Sequence, residues 1–262
     1  MLQFDAETTR LFDSAYSGTD IRRRRQANLD ALAPRRGDTV LDLGCGNGHL
    51  TAELARAVGQ TGQVIGLDPS DDMMHSARTR CADYPWVSFH TGTATDMPLA
   101  SGAVDRAVSV QVFEYVDDIP AALAETRRVL KPGGRLVIGD MHFDSWIWHS
   151  DDPARMARMM AAFDHHLVHR RLPQTLPGAL SRQGFQNVSC RPVTFCDTRF
   201  RPDGLAQMLV LLMAQYAVTN GHVPEPEATA WAEEQTRLAA EQRFFFSVTH
   251  FVTAGDAPRH AA

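Results

Sequence analysis

Four cysteines in 262 residues are too few and too scattered to staple a fold. Cys45, Cys81, Cys190 and Cys196 contain no C-x-x-C pair, and no Cys/His group has zinc-ligand spacing, so no disulfide framework and no metal site is expected. Free thiols fit a reducing compartment. Positive charge is not in excess either. Lys and Arg number 26 against 31 Asp and Glu, a formal charge of −5 with pI near 6.1, so the chain lacks the basic footprint of a nucleic-acid binder. The run Arg22 to Arg25 points several ways around one helical turn and is expected to be mostly solvated. No apolar run reaches membrane-spanning length: "LAQMLVLLMAQYAV" (205–218) is short and carries glutamines. "MLQFDAETTR" has no apolar core of signal-peptide length. There are no internal repeats. A cytoplasmic protein with no membrane and no nucleic-acid partner is expected, as a monomer or homodimer.

What is present is globular: 44% hydrophobic and 22% charged residues. After a polar, helical stretch of about forty residues, short apolar runs alternate with helical patterns. Strands are predicted over 39–43, 63–68, 86–92, 103–111 and 135–140. Helices are predicted over 49–59, 70–83 (capped by Ser70) and 119–130, with Pro120 in the first turn of the last. This rhythm implies right-handed βαβ units and a parallel sheet, with binding loops at the carboxyl ends of its strands. Beyond Asp140 the pattern becomes helical over 152–168, 175–185, 204–219 and 226–242, with strands at 187–195 and 243–255. The expected architecture is α/β: one Rossmann-like domain with a seven-stranded, mostly parallel sheet flanked by helices. Residues 1–38 form an N-terminal helical cover and 39–140 the binding core. Residues 141–171 and 196–242 form helical lid insertions, and 172–195 and 243–255 close the sheet.

"VLDLGCGNGHL" (40–50) places Gly44, Gly46 and Gly48 between a strand and a helix. The dinucleotide fingerprint needs a further glycine where His49 stands. Asp42, at the mouth of the loop, repels the pyrophosphate that a helix N-terminus would otherwise hold. A ligand with a cation and no phosphate suits it, and S-adenosylmethionine (SAM) carries an ammonium and a sulfonium. Asp68 ends the second strand at about the spacing where an acid accepts from ribose hydroxyls.

"VLDLGCGNG", "VIGLDPSDDMM", "ATDMPLASGAVDRAVSVQVFEYVDD" and "LKPGGRLVIGD" resemble, in order and spacing over about residues 20–140, the motifs of class I SAM-dependent methyltransferases. The resemblance is to the group that includes ubiquinone/menaquinone-type C-methyltransferases and other small-molecule enzymes of the methyltransferase type 11 kind. It implies SAM as cofactor, with S-adenosylhomocysteine (SAH) as product. It places Asp42, Gly44, Cys45 and Gly46 at the methionine part, Asp68 and Pro69 at the ribose, and Met73 against the adenine. Gln111 would face the methionine moiety. Thr93 and Ala94 stand where the family usually has "GDA", so a hydroxyl replaces the aspartate that reads the adenine, and Asp96 is a possible substitute. Tyr16 matches an N-terminal aromatic that closes over SAM, and Arg24, or its neighbour Arg23, would reach the SAM carboxylate.

Methyl transfer is an in-line displacement at carbon, so alignment and exclusion of water supply much of the catalysis, and a base is needed only for a protonated nucleophile. Tyr115, Asp140 and His142 follow the carboxyl ends of the fourth and fifth strands and are the catalytic candidates. Tyr115 is a poor base at neutral pH. "GDMHFDSWIWHSDD" (139–152) offers Trp146, Trp148 and His149 as contacts for a flat or cationic small-molecule acceptor. Two other readings use the same sheet: an NAD-type oxidoreductase, which Asp42 and His49 oppose, and a non-catalytic SAM-binding protein.

Overall fold

The computed structural model describes residues 17–259. Tyr16 lies outside them. The chain runs α1 (Thr19–Leu32), β1 (Thr39–Leu43), α2 (His49–Val58), β2 (Gln63–Asp68), α3 (Asp71–Arg80), β3 (Val87–Thr91) and β4 (Val104–Val110). A 3₁₀ turn (Phe113–Tyr115) follows, then α4 (Ile119–Val129), β5 (Leu130–Trp148), α5 (Pro153–Asp164), α6 (Leu172–Arg182) and β6 (Gln186–Asp197). The last elements are α7 (Leu205–Thr219), α8 (Glu225–Ala240) and β7 (Phe246–Asp256).

The seven strands form one sheet in the order β3-β2-β1-β4-β5-β7-β6. The first five pair in parallel, while β7 is antiparallel to both β5 and β6. Helices cover both faces, so the central strands are apolar on both sides. Along β1, β2, β4 and β5, residues Val40, Val64, Val108 and Val137 pack with Leu32, Leu50, Leu54 and Val58 of α1 and α2. Their neighbours Leu41, Ile65, Ala107 and Leu136 pack on the other face with Leu123 of α4 and Leu176 and Leu180 of α6. A third cluster joins the far end of β5 and β7 to α5, α7 and α8. At the outer edge, Pro192 sits in β6, where a missing N–H costs no ladder bond.

The element order agrees with the sequence reading, and three details differ. First, β5 does not stop at Asp140. It continues to Trp148 because β7 is long enough to stay paired with it, from Asp140 opposite Phe251 to Trp148 opposite Phe246. Between His142 and Ile147 the register shifts, and Ser145 fills the gap. Its hydroxyl donates to the His142 carbonyl at 2.6 Å and accepts from the Thr249 N–H at 2.9 Å. The helical insertion expected from residue 141 therefore begins at Pro153, where the Asp152 carboxylate caps the Arg155 N–H at 2.9 Å. Second, α6 starts at Leu172, with Pro173 in its first turn. Third, only Arg22 and Arg23 of the arginine run are exposed, while Arg24 and Arg25 are buried toward the sheet.

Candidate active site

A cleft of about 670 Å³ opens at the carboxyl ends of β1, β2 and β4. Its floor is the loop after β1, whose glycines all have positive φ: Gly44 at 73°, Gly46 at 51° and Gly48 at 82°. A Cβ on Gly44 would run into the Val112 side chain, and one on Gly48 would lie 2.9 Å from the Ala77 backbone. At Gly46 nothing lies within 4 Å, so this glycine leaves bare backbone facing the cleft.

Two carboxylates flank the loop. Asp42 is buried at the end of β1, and the Thr51 hydroxyl donates to it at 2.6 Å. Burial pushes its pKa up to about 7; the Thr51 bond opposes this, and the negative charges of Asp68 and Glu53 add to it. Asp68 ends β2 and accepts the Gly46 N–H and the Ser70 N–H, each at 2.9 Å. Burial raises its pKa and those two bonds hold it back. Each oxygen keeps a lone pair for a further donor. Ser70 caps α3 through the Met73 N–H at 3.4 Å, which sets Met73 against the cleft. The Cys45 thiol, in contact with the Met74 sulfur at 3.8 Å, is pushed up by burial and by Asp42 and Asp68, so it stays protonated.

The opposite wall comes from β4. Gln111 adopts φ of 59°, a left-handed conformation rare outside glycine, and its N–H is held by the Gly139 carbonyl at 2.8 Å. This bend aims the amide at two charged groups. Its oxygen accepts from Arg24 at 2.7 Å and its nitrogen donates to Glu114 at 2.7 Å. Glu114 and Asp140 are both buried. Asp140 accepts the Val112 N–H at 3.2 Å, and its other oxygen is buried with no hydrogen-bond partner. Burial pushes Asp140 up to about 7, against the Val112 bond and the Arg24 charge. Glu114 is raised by burial and then by the Asp140 charge, with Arg24, the Tyr115 side chain and the Met141 backbone opposing.

The cleft thus brings together Arg24, Asp42, Gly44, Cys45, Gly46, Asp68, Pro69, Met73, Thr93, Ala94, Gln111 and Tyr115. Thr93 sits on the far rim, its hydroxyl 3.2 Å from that of Thr95, while Asp96 is exposed and outside the lining. Five expected residues do not line the cleft. Asp140 stands one layer behind Val112. His142 is buried with an edge toward Phe251, and its Nδ1 has no hydrogen-bond partner. Trp146 and Trp148 are packed into the third cluster, Trp148 with ring centroids 4.6 Å from Phe246 and 5.6 Å from Trp231. His149 is exposed, 3.9 Å from Asp151. They miss the cleft because β5 carries the chain straight past it into the helical layer. Sequence reasoning did not single out Glu114 or Arg25. The signal for Glu114 was an acid inside the apolar run "QVFEYV".

The site fits SAM. A buried carboxyl stands at the loop mouth, a bare glycine backbone allows close approach, and a second acid with free lone pairs ends the next strand. The same two carboxyls oppose a pyrophosphate. Among the described residues, no His, Cys, Asp and Glu group has the makings of a metal site.

Comparisons with known proteins bear on the family and the fold. The family described as "Methyltransferase domain" matches residues 41–138. A 2-phytyl-1,4-naphtoquinone methyltransferase of Thermosynechococcus vestitus is 33% identical over 183 residues, covering 64% of this chain and 81% of that protein. An uncharacterized 37.1 kDa protein in transposon TN4556 of Streptomyces fradiae is 35% identical over 239 residues, covering 87% of this chain. The alignments span 65% of the length of that protein and 48% of the corresponding naphtoquinone methyltransferase of Trichormus variabilis. Among solved structures, phosphoethanolamine N-methyltransferase 2 of Haemonchus contortus, in complex with SAM, superposes with a TM-score of 0.63 at 15% identity, over 98% of this chain and 58% of that one.

Proposed function

The chain belongs to the class I SAM-dependent methyltransferases, and from that premise we propose that it moves the SAM methyl group to O, N or C of a small, partly hydrophobic or aromatic acceptor. The relatives named for naphtoquinone methylation support a flat aromatic acceptor. The observation that carries the cofactor assignment is Asp42: a buried carboxyl, held by one hydroxyl, at the end of the strand that opens the glycine loop.

Bound in the cleft, SAM supplies an electrophilic methyl group on a sulfonium. The residues of this chain bind and orient it. Asp42 takes the ammonium, and its ionised form is the one that pairs with a cation. Gly46 lets the ligand approach the backbone, Asp68 accepts from the ribose hydroxyls, and Met73 packs on the adenine. Arg24, steered by Gln111, meets the carboxylate. The apolar side chains of Ile21, Leu50, Val112 and Val116 line the remaining walls and exclude water. The absence, among the described residues, of a helix long and apolar enough to cross a membrane and the four free cysteines support action in a reducing cytoplasm.

Calorimetry on Asp42→Asn tests this assignment. The amide keeps an acceptor for Thr51 and loses the charge. It is expected to weaken SAM binding at least ~30-fold, as loss of a charge-assisted bond of roughly 2 kcal/mol implies. Unchanged affinity would sink the cofactor placement.

A further inference from the structure

α1 carries Arg24, and two polar side chains hold that part of the helix on the sheet. Asn28, one turn after Arg24 on the same side of α1, is wholly buried, and so is His250 of β7. The Asn28 amide nitrogen lies 2.9 Å from the Arg24 carbonyl and 3.0 Å from the His250 Nε2. A carbonyl only accepts, so the atom facing it is the NH2 nitrogen, which has a second hydrogen for His250. The His250 Nε2 then accepts, which puts the ring proton on Nδ1. Burial, with the Arg24 charge adding to it, keeps the ring neutral and that lone pair available. The Asn28 Oδ1 and the His250 Nδ1 have no hydrogen-bond partner. An apolar pair of similar size would avoid that cost, so packing alone does not account for these residues.

The sheet makes room for them. A Cβ on Gly139 would stand 2.2 Å from the Asn28 Oδ1 and 2.6 Å from the His250 Nε2. The carbonyl of this same glycine accepts the Gln111 N–H at 2.8 Å, in the bend that aims the Gln111 amide at Arg24. Gln111 in turn accepts from Arg24 at 2.7 Å. The contacts close a circuit. Arg24 binds Gln111, Gln111 hangs on Gly139, Gly139 abuts Asn28 and His250, and Asn28 returns to the main chain at Arg24. Arg24 and Gln111 line the cleft, and the other three stand behind it.

We infer that Asn28 and His250 are positioning residues for the cofactor: they fix the turn of α1 that carries Arg24 and so hold its guanidinium where the SAM carboxylate binds. This rests on the SAM reading of the cleft. Both ends of α1 are tied elsewhere. Asp20 accepts from Arg201 at 2.7 Å and from the Leu205 N–H at 2.9 Å. The carbonyls of Ala31 and Leu32 accept from Arg135 at 2.7 Å and Arg106 at 2.8 Å. Loss of the middle clamp therefore leaves the helix docked and releases the aim of Arg24. A guanidinium bonds a carboxylate directionally, so a small turn of the helix weakens that contact.

Calorimetry with two ligands tests the clamp: SAM, and decarboxylated SAM, which keeps the sulfonium and the ammonium and lacks the carboxylate. Wild type is expected to prefer SAM. Asn28→Leu and His250→Leu are each expected to bind SAM ~10-fold more weakly, the low end for a hydrogen bond to a charged group, and decarboxylated SAM within ~2-fold of wild type. His250→Gln offers an amide oxygen near where Nε2 stands and is expected to keep most of the wild-type preference. Asn28→Ser keeps a bond to the Arg24 carbonyl and is too short to reach His250, so it decides the matter if a leucine variant does not fold. Arg24→Gln combined with His250→Leu is expected to lose no more preference than Arg24→Gln alone. A clamp variant that weakens both ligands alike shows a merely structural pair, and one that weakens neither shows an idle one; either overturns the inference. A preference that survives Arg24→Gln overturns the placement of Arg24 at the carboxylate, and the inference with it. Absence of SAM binding by the wild type overturns the methyltransferase reading itself.

Discussion

At the scale of single residues, the glycine loop separates two demands that one motif usually hides. Gly46 and Gly48 both have positive φ, so alanine at either pays roughly 1–2 kcal/mol for the left-handed backbone. They differ in what surrounds them. Gly48 packs against the Ala77 backbone at 2.9 Å, whereas Gly46 has only the cleft before it. Gly46→Ala is therefore expected to lower Tm slightly and to cost most of the SAM affinity, since the new methyl group occupies ligand space. Gly48→Ala is expected to lower Tm far more, because α2 and α3 must move apart. Thermal denaturation and calorimetry on the two variants check the split; equal stability losses would contradict it. The sequence made this loop legible because glycine has few other reasons to recur at such spacing after a strand. It could not show Gln111 in a left-handed conformation, nor the Glu114 side chain turned inward. Both depend on contacts with residues from α1 and β5, far away in the chain.

At the scale of elements, the end of β5 is set by its partner and not by its own residues. "GDMHFDSWIWHSDD" looked like the start of a lid because its composition breaks the apolar pattern of a buried strand. Composition does not report a partner, and β7 is a partner long enough to carry the strand on to Trp148. The aromatics then serve a different purpose: they are the root by which α5, α7 and α8 are fastened to the sheet. Glu234 on α8 completes that attachment. It is buried, and it accepts from the Ser150 hydroxyl at 2.9 Å, the Asp151 N–H at 2.6 Å and Arg155 of α5 at 2.7 Å. These bonds, foremost those from Arg155 and Ser150, hold its carboxyl below the ordinary range despite burial. Glu234→Ala takes from Arg155 its 2.7 Å partner and leaves it Asp152 at 4.0 Å, a loss of roughly 1.5–3 kcal/mol for a charged hydrogen bond. Hydrogen exchange is expected to quicken in α5 and α8 ahead of β1, β2 and β4. Uniform acceleration across the sheet would show that the helical layer is not a separate cooperative unit.

For the whole molecule, the buried carboxyls link stability, pH and ligand. Asp42 and Asp140 titrate near 7 in the fold and near 3.8 in the unfolded chain. Between those values the folded state binds more protons, so these groups lower stability as pH rises through 7, at about 1.4 kcal/mol for each unit of pKa difference. Glu114 acts in the same direction. His166 and His250 act in the opposite one. Burial keeps both neutral in the fold, so below their unfolded value of 6.5 the unfolded chain binds the extra proton and stability falls as pH drops. The two effects oppose each other from about pH 4 to 6.5, and above 6.5 only the carboxyls remain. Without ligand, Tm is therefore expected to decline from pH 6.5 to 8, and Asp42→Asn to flatten that decline. A ligand that places an ammonium on Asp42 favours the ionised carboxylate, so its affinity rises over the same interval. By mass action the Tm gain from saturating SAM is larger at pH 8 than at pH 6. Differential scanning fluorimetry at both values decides the matter. A gain equal at the two pH values, or larger at pH 6, would mean that Asp42 does not receive the charged end of the ligand.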